Sequence, residues 1–376
     1  SKFFKISFVF PFNQKSLNVD KIKGFFDNYN IDVHPFFQDT KSDLKYLLKN
    51  PFKKIPFKWD KYYNPRAQEL INSIIDKNDI KYLWVSTPHM ARYALESKKK
   101  FTNIKLFLRE HNIEYKLVEQ FLHMSKNPIY KVIAYWQMKK SKALEKEYWQ
   151  YFDKIFFISD LDYEIAVNEA PELEEKFVVL YDGHELVVKD PVMSASSDFI
   201  YMANFKSIQN VISFKWFIEK IWKPNLLKLK NLNIKLYITG SSEIDVLRII
   251  KPLKLQDLNI VNLGFVDDIG KVVLRFKYVL SPTVIGSGIR LKLLNGMACG
   301  KPVFVTPLDI STCKVFKDLD NVILFSNAED FMEKLLVLEN NIDLYVNICK
   351  RAIRTISEGF SWEDYSKKAT KIILNL

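Results

Sequence analysis

Short apolar runs alternate along the whole chain with longer stretches in which apolar residues recur every three or four positions. Runs at 5–10, 31–36, 80–86, 104–108, 154–158 and 177–181 read as strands. Stretches 17–28, 66–77 and 118–151 read as helices, the last broken near Asn127 and Pro128, and another runs from about 160 to 168. From 187 to 198 the pattern lapses into a loop with Pro191, Ser194, Ser196 and Ser197. The rhythm then restarts. Strands are expected at 199–203, 234–239, 259–264, 278–280, 303–306 and 321–325, a helix at 211–222, two helices after 325 and a last one at 362–375. Regular strand–helix alternation specifies an α/β fold with parallel sheets. The lapse divides it into two Rossmann-like domains, 1–190 and 191–358, with a terminal helix in 359–376.

Length and composition agree with that division. A chain of 376 residues is too long for one core, and 48% hydrophobic with 27% charged residues is the balance of a folded protein. No apolar run approaches the roughly 20 residues that span a bilayer. The first ten residues are a little like a signal peptide, but they run into Pro11 with no small-residue cleavage site and read as a first strand. Cys299, Cys313 and Cys349 have no metal or redox spacing and fit a reducing cytoplasm. The net charge of +12 admits nucleic acid or another anionic surface as partner. No nucleic-acid motif accompanies it, so the charge is consistent with an anionic ligand and an anionic membrane and demands neither.

The densest chemistry lies in 281–306, SPTVIGSGIRLKLLNGMACGKPVFVT. A strand end leads through Gly286, Ser287, Gly288 and Ile289 into a helix with Leu291, Leu294, Met297 and Ala298 on one face, then to a new strand. A helix start exposes unpaired N–H groups at a positive dipole end, and glycines let an anion approach the backbone. Arg290 and Lys292 add two cations in the first turn. The stretch suits a phosphate or diphosphate. The plainer alternative is a tight turn with solvated cations.

GSGIRLKLLNGMACGKPVFVT resembles the donor-binding segment of family 4 glycosyltransferases, in the bacterial branch written G-x-G-x-R-[IL]-K-[IL]-L-E-A-M-A-x-G-x-P-V-V. The resemblance implies the GT-B fold: two Rossmann-like domains facing across a cleft, with the C-terminal helix crossing back to the first. It implies a retaining, metal-independent transfer from a nucleotide sugar, with no cofactor. Where many members carry two glutamates, this chain has Ser287 and Asn295. The second glutamate typically binds the donor ribose; Asn295 donates and accepts hydrogen bonds without charge.

Further matches extend along the chain. Arg109-Glu-His-Asn at a strand end resembles the His-Asn step under the donor sugar, and makes His111 the first candidate there. Glu110 and Glu114 either orient that histidine or start the next helix. His89, with Ala91 and Tyr93, is either a cleft residue or a structural loop residue. The first loop, which includes Asn13, lacks the family's glycine pair and leaves the acceptor side unexplained. Asp182-Gly-His-Glu resembles the Asn-Gly-Val-Asp turn that closes the first domain. Lys206 and Asn210 take the places of a basic residue and an asparagine near a helix start. Lys206 is either a second diphosphate cation or a solvated lysine. Val266, in Gly264-Phe-Val-Asp, is the expected contact to the base, and Phe360-Ser-Trp resembles the terminal motif.

Two segments, 42–63 and 129–151, mix lysines with aromatics. Each is either a surface for an anionic membrane or an amphipathic piece packed on its own domain. The expected function is a retaining glycosyltransferase that moves a sugar to a glycan or lipid-linked glycan in cell-surface polysaccharide or lipopolysaccharide assembly. It would be cytoplasmic and peripheral at the inner face of the membrane. Arg290, Lys292 and the amides of 286–289 would hold the leaving diphosphate. The rivals are a GT-B binding or scaffold protein, and an epimerase or phosphorylase on the same architecture.

Overall fold

The computed structural model describes residues 4–13, 18–38, 46–47, 50, 52–124, 127–194, 196–251 and 258–375. Two compact units form. One comprises Ser1–Phe157 and Ile165–Val178, the other Ile158–Glu164 and Val179–Leu376. The segment 42–63, expected to be a lysine and aromatic surface, falls partly outside the described residues, as do residues 14–17 of the first loop.

In the first unit β1 (Ile6–Phe12) and β2 (Ile31–Phe37) form a parallel pair. A separate parallel sheet runs in the order β3 (Tyr82–Val85), β4 (Lys105–Glu110), β5 (Lys154–Phe157), β6 (Phe177–Val179). Leu106, Phe107 and Leu108 are all buried, as a parallel strand covered on both faces requires. Trp84 stacks on Phe156 with ring centroids 4.7 Å apart, and fully buried Trp149 packs edge-on against Phe157 and Phe177. The break expected in the long helix is real. Glu114–Met124 is one helix and Pro128–Tyr151 another. Pro128 stands where its missing N–H costs nothing, and the Asn127 side chain accepts from the amides of Ile129 and Tyr130.

The second unit is a six-stranded parallel sheet, ordered β12 (Ile323–Leu324), β11 (Val303–Val305), β10 (Tyr278–Ser281), β7 (Phe199–Met202), β8 (Leu236–Thr239), β9 (Ile260–Asn262). Side chains alternate between its faces. Phe199, Tyr201, Tyr278, Leu280 and Phe304 enter one core, whereas Ile200, Met202, Val279, Val303 and Val305 enter the other. Each large side chain so buried contributes about 1.5–3 kcal/mol. Strand order reverses between β7 and β10, which are hydrogen-bonded neighbours. Ligands of such sheets bind beyond the carboxyl ends of strands at that reversal.

The stretch 187–198 belongs to the second unit and is pinned there. Val187 and Val188 donate to Ala298 O, Lys301 Nζ donates to Val192 O at 2.7 Å, and Ser194 Oγ to Arg275 O. The terminal helix Trp362–Leu374 also lies in the second unit, with Trp362 against Gly183. No helix among the described residues is long and apolar enough to cross a membrane.

Candidate functional site

The loop after β10 turns through Gly286 at φ +118° and Gly288 at φ +73° before the helix Leu291–Ala298 begins. A side chain is strained at such angles. At Gly286 it would also collide with the Arg290 guanidinium, since an added Cβ would lie 3.0 Å from Cζ. Glycine therefore lets Arg290 fold back over its own loop. Its Nη1 donates to Ser287 O at 2.8 Å.

Beyond the ends of β7, β8 and β10 lies a cavity of about 430 Å³, of the size that takes a small ligand. Arg290, Lys292, Asn210, Val266, Ile289 and Asn295 all stand on its wall. These residues are spread over 85 positions of sequence, and the strand reversal gathers them. Gly286, Ser287 and Gly288 are buried behind that wall and do not line it. The Gly288 N–H, expected to face an anion, donates instead to Asp162 Oδ2 at 3.1 Å. Lys206 is exposed and off the wall. Its neighbour Asn204 is on it, and the Asn204 side chain accepts from the Lys206 amide.

Two cations meet two carboxylates here. Lys292 Nζ donates to Asn210 Oδ1 at 2.9 Å and sits 4.6 Å from the centroid of the Tyr201 ring. Burial lowers its pKa to about 7, against the pull of Asp309. Asp309 is fully buried, and burial raises its pKa while Arg290 opposes the shift. Its carboxylate accepts weakly from the Thr283 and Thr306 amides and completes a capping box with Thr306. Asp162, also buried, holds Ser159 as well as Gly288. An arriving diphosphate meets Arg290 and, in Lys292, a group that takes up a proton readily near neutral pH.

Sequence reasoning missed Asp309, Asp162, Tyr201 and His184. Thr306-Pro-Leu-Asp is legible as a helix start, but nothing in its spacing points at Arg290. His184 Nε2 lies 2.9 Å from Asn295 Oδ1.

The remaining candidates are in the first unit. His111 follows β4, and burial, then the charge of Arg109, lowers its pKa to about 4 despite a hydrogen bond with the Ser86 backbone. It is a neutral imidazole at neutral pH. Glu110 is fully buried and accepts from Trp149 Nε1 at 3.1 Å. His89 packs between Trp59 and Tyr62, with ring centroids 5.6 and 5.5 Å away. Burial, then Lys58 and Lys61, lowers its pKa to about 4, so its 3.7 Å approach to Glu114 joins a neutral ring to a carboxylate. Asn13 follows β1 and is partly buried.

Residues 196–341 match the family of glycosyl transferases group 1. No curated protein matches the chain by sequence. Among solved structures, HepE of Anabaena in complex with UDP and glucose is 11% identical, with TM-score 0.65, covering 99% of this chain and all of that one. Sucrose-phosphate synthase of Thermosynechococcus elongatus is 10% identical, with TM-score 0.68 and 98% of each chain covered. A glycosyltransferase of Rickettsia africae is 18% identical, with TM-score 0.63, covering 98% of this chain and 97% of that one. The chain has the GT-B fold, and its residues 196–341 match the glycosyl transferases group 1 family.

Proposed function

We propose that the chain is a family 4 retaining glycosyltransferase that takes a sugar from a nucleoside-diphosphate donor. Arg290 and Lys292 on one wall of one cavity carry this reading. Breaking the bond between the anomeric carbon and the diphosphate oxygen leaves negative charge on the diphosphate. Arg290 supplies fixed positive charge there, and Lys292, near pKa 7, becomes fully charged as that anion forms. No metal is called on for this charge, and no cofactor. The acceptor hydroxyl attacks on the face the diphosphate leaves, and its proton passes to the leaving phosphate oxygen. Phe265, 68% exposed beside Val266 on the cavity wall, offers a ring against which the base can stack. HepE, solved with UDP and glucose, makes UDP the first nucleotide to try.

His111, a neutral donor and acceptor at a strand end, is the residue we assign to the transferred sugar. The acceptor is a glycan or lipid-linked glycan of cell-surface polysaccharide or lipopolysaccharide assembly, met by the first unit at the inner face of a membrane. The exposed face of Pro128–Tyr151 supports the membrane part. Ile129 and Val132 are 71% and 70% exposed, and Tyr135 and Trp136 flank them among lysines.

The test is transfer from a panel of labelled UDP-, GDP- and ADP-sugars to a bacterial lipid extract, with Arg290→Ala beside the parent chain. Transfer that falls at least about 100-fold in the variant is the expected result. Full activity of Arg290→Ala would remove the diphosphate role, and nucleotide binding without any transfer would favour a binding protein.

A further inference from the structure

The carboxamide of Asn295 is the one neutral polar group that the helix Leu291–Ala298 presents to the cavity. Its orientation follows from its neighbour. His184 Nδ1 lies 2.9 Å from Glu185 O, and a carbonyl oxygen only accepts, so Nδ1 carries the ring proton. A neutral imidazole has a single N–H, which makes Nε2 an acceptor. That nitrogen is 2.9 Å from the Asn295 carboxamide. Two acceptors do not bond. The amide NH2 must therefore face Nε2, an exchange of oxygen and nitrogen that leaves the shape of the side chain unchanged. The carboxamide oxygen then turns away from His184, where no other described residue is hydrogen-bonded to the Asn295 side chain.

The turn that carries the ring is fixed relative to the helix it contacts. The His184 backbone N–H donates to Phe360 O, and the backbone N–H groups of Val187 and Val188 donate to Ala298 O at the end of that helix. Gly183 is buried against Trp362 so closely that a Cβ there would overlap the indole. The turn has no room to swing.

We propose that His184 is a positioning residue that holds Asn295 with its carboxamide oxygen facing the cavity, as the acceptor for a sugar hydroxyl of the bound nucleotide. The inference rests on the nucleotide site proposed above. A lone acceptor oxygen selects a donor. The phosphates of a nucleoside diphosphate offer none, and its ribose hydroxyls do; a ribose contact at position 295 is what the family resemblance implies, and the structure adds the histidine that sets which end of the carboxamide meets it.

Calorimetry on the full chain tests this with UDP, GDP and ADP and the 2′,3′-dideoxy form of each. The parent chain should prefer the ribose form of the nucleotide it binds by about threefold to tenfold, the yield of one hydrogen bond. His184→Ala should bring that preference close to one and leave affinity for the dideoxy form unchanged. His184→Gln, whose Oε1 accepts from the same amide, should keep it. A parent chain indifferent to the hydroxyls, or a preference undiminished in His184→Ala, overturns the inference and leaves the nucleotide site standing. Binding of none of the nucleotides rejects the site itself, and the inference with it.

Discussion

Arg290 Nε and Asp309 Oδ1 stand 3.9 Å apart, and neither atom has a hydrogen-bond partner among the described residues. The attraction is therefore one of charge alone, across a gap too long for a direct hydrogen bond. At that separation it amounts to about 4 kcal/mol in a medium of intermediate polarity. Asp309 is the counter-charge that lets Arg290 stay ionised in a buried place, and it supports the charge on Lys292 too. Asp309→Asn keeps the shape and removes the charge. Urea denaturation should show a loss of about 3 kcal/mol, the scale of breaking a buried pair from one side. An unchanged midpoint and slope would mean that the pair does not act as described.

Lys292 gives a pH signature. Burial depresses its folded pKa to about 7 from an ordinary 10.5. Between those values the unfolded chain binds a proton that the folded chain does not. Stability therefore rises with pH across that window, and the burial penalty is fully present below it. An anionic ligand reverses the local preference and restores the proton. Nucleoside-diphosphate binding at pH 8 should take up close to one proton, read as a dependence of the calorimetric heat on the ionisation enthalpy of the buffer. Affinity should weaken as pH climbs from 7 to 9. Lys292→Met should abolish both effects; the same proton uptake in that variant would assign it elsewhere.

His111 should separate binding from transfer. Its imidazole is neutral above about pH 4, so it acts through a hydrogen bond and not as a titrating acid. His111→Ala should lower the transfer rate by about 100-fold with nucleotide affinity within twofold of the parent, and the rate should show no inflection from this residue between pH 5 and 8. Equal loss of nucleotide affinity would place the residue in another role.

The exposed face of Pro128–Tyr151 makes a claim about location. Flotation with vesicles containing anionic lipid should carry the protein upward, and neutral vesicles should carry much less. Lys140 lies 3.6 Å over the Trp136 ring, so the aromatic and basic groups of that face already act together. Ile129→Glu with Val132→Glu should release the protein from the vesicles without altering its melting temperature. Equal flotation of this variant would leave the helix with no membrane role.

Periodicity was enough to recover most of the strands, the broken helix at Pro128 and the glycine loop, because each is written in neighbouring residues. The helices Ala91–Lys100 and Glu243–Ile250 are absent from that reading. The first ends in three lysines and the second is short, so neither makes a long apolar stripe. The site was legible where it lies within one loop, at Arg290 and Lys292. It was not legible where distant segments meet. Asp162 reaches Gly288 across 126 positions, and no local pattern records that hydrogen bond. Gly288 itself was expected to hold an anion through its amide, and a carboxylate of the protein takes that place. His184 and Asn295 show the same limit. Asn295 was noticed at its own position, as asparagine in place of glutamate, whereas His184 was read only as part of a turn that resembles Asn-Gly-Val-Asp. Only the fold shows that the two side chains touch.

The amino-terminal strand pair has a consequence of another kind. No residue of β1 or of the helix Val19–Asp27 is buried, and β2 buries only Val33. Little apolar surface is lost when this piece comes loose, so it should open without the rest of the chain unfolding. Deuterium should enter the amides of 6–12 and 31–37 orders of magnitude sooner than those of β4, which makes this corner yield to heat or a protease well before the central strands do and a poor choice as a rigid handle.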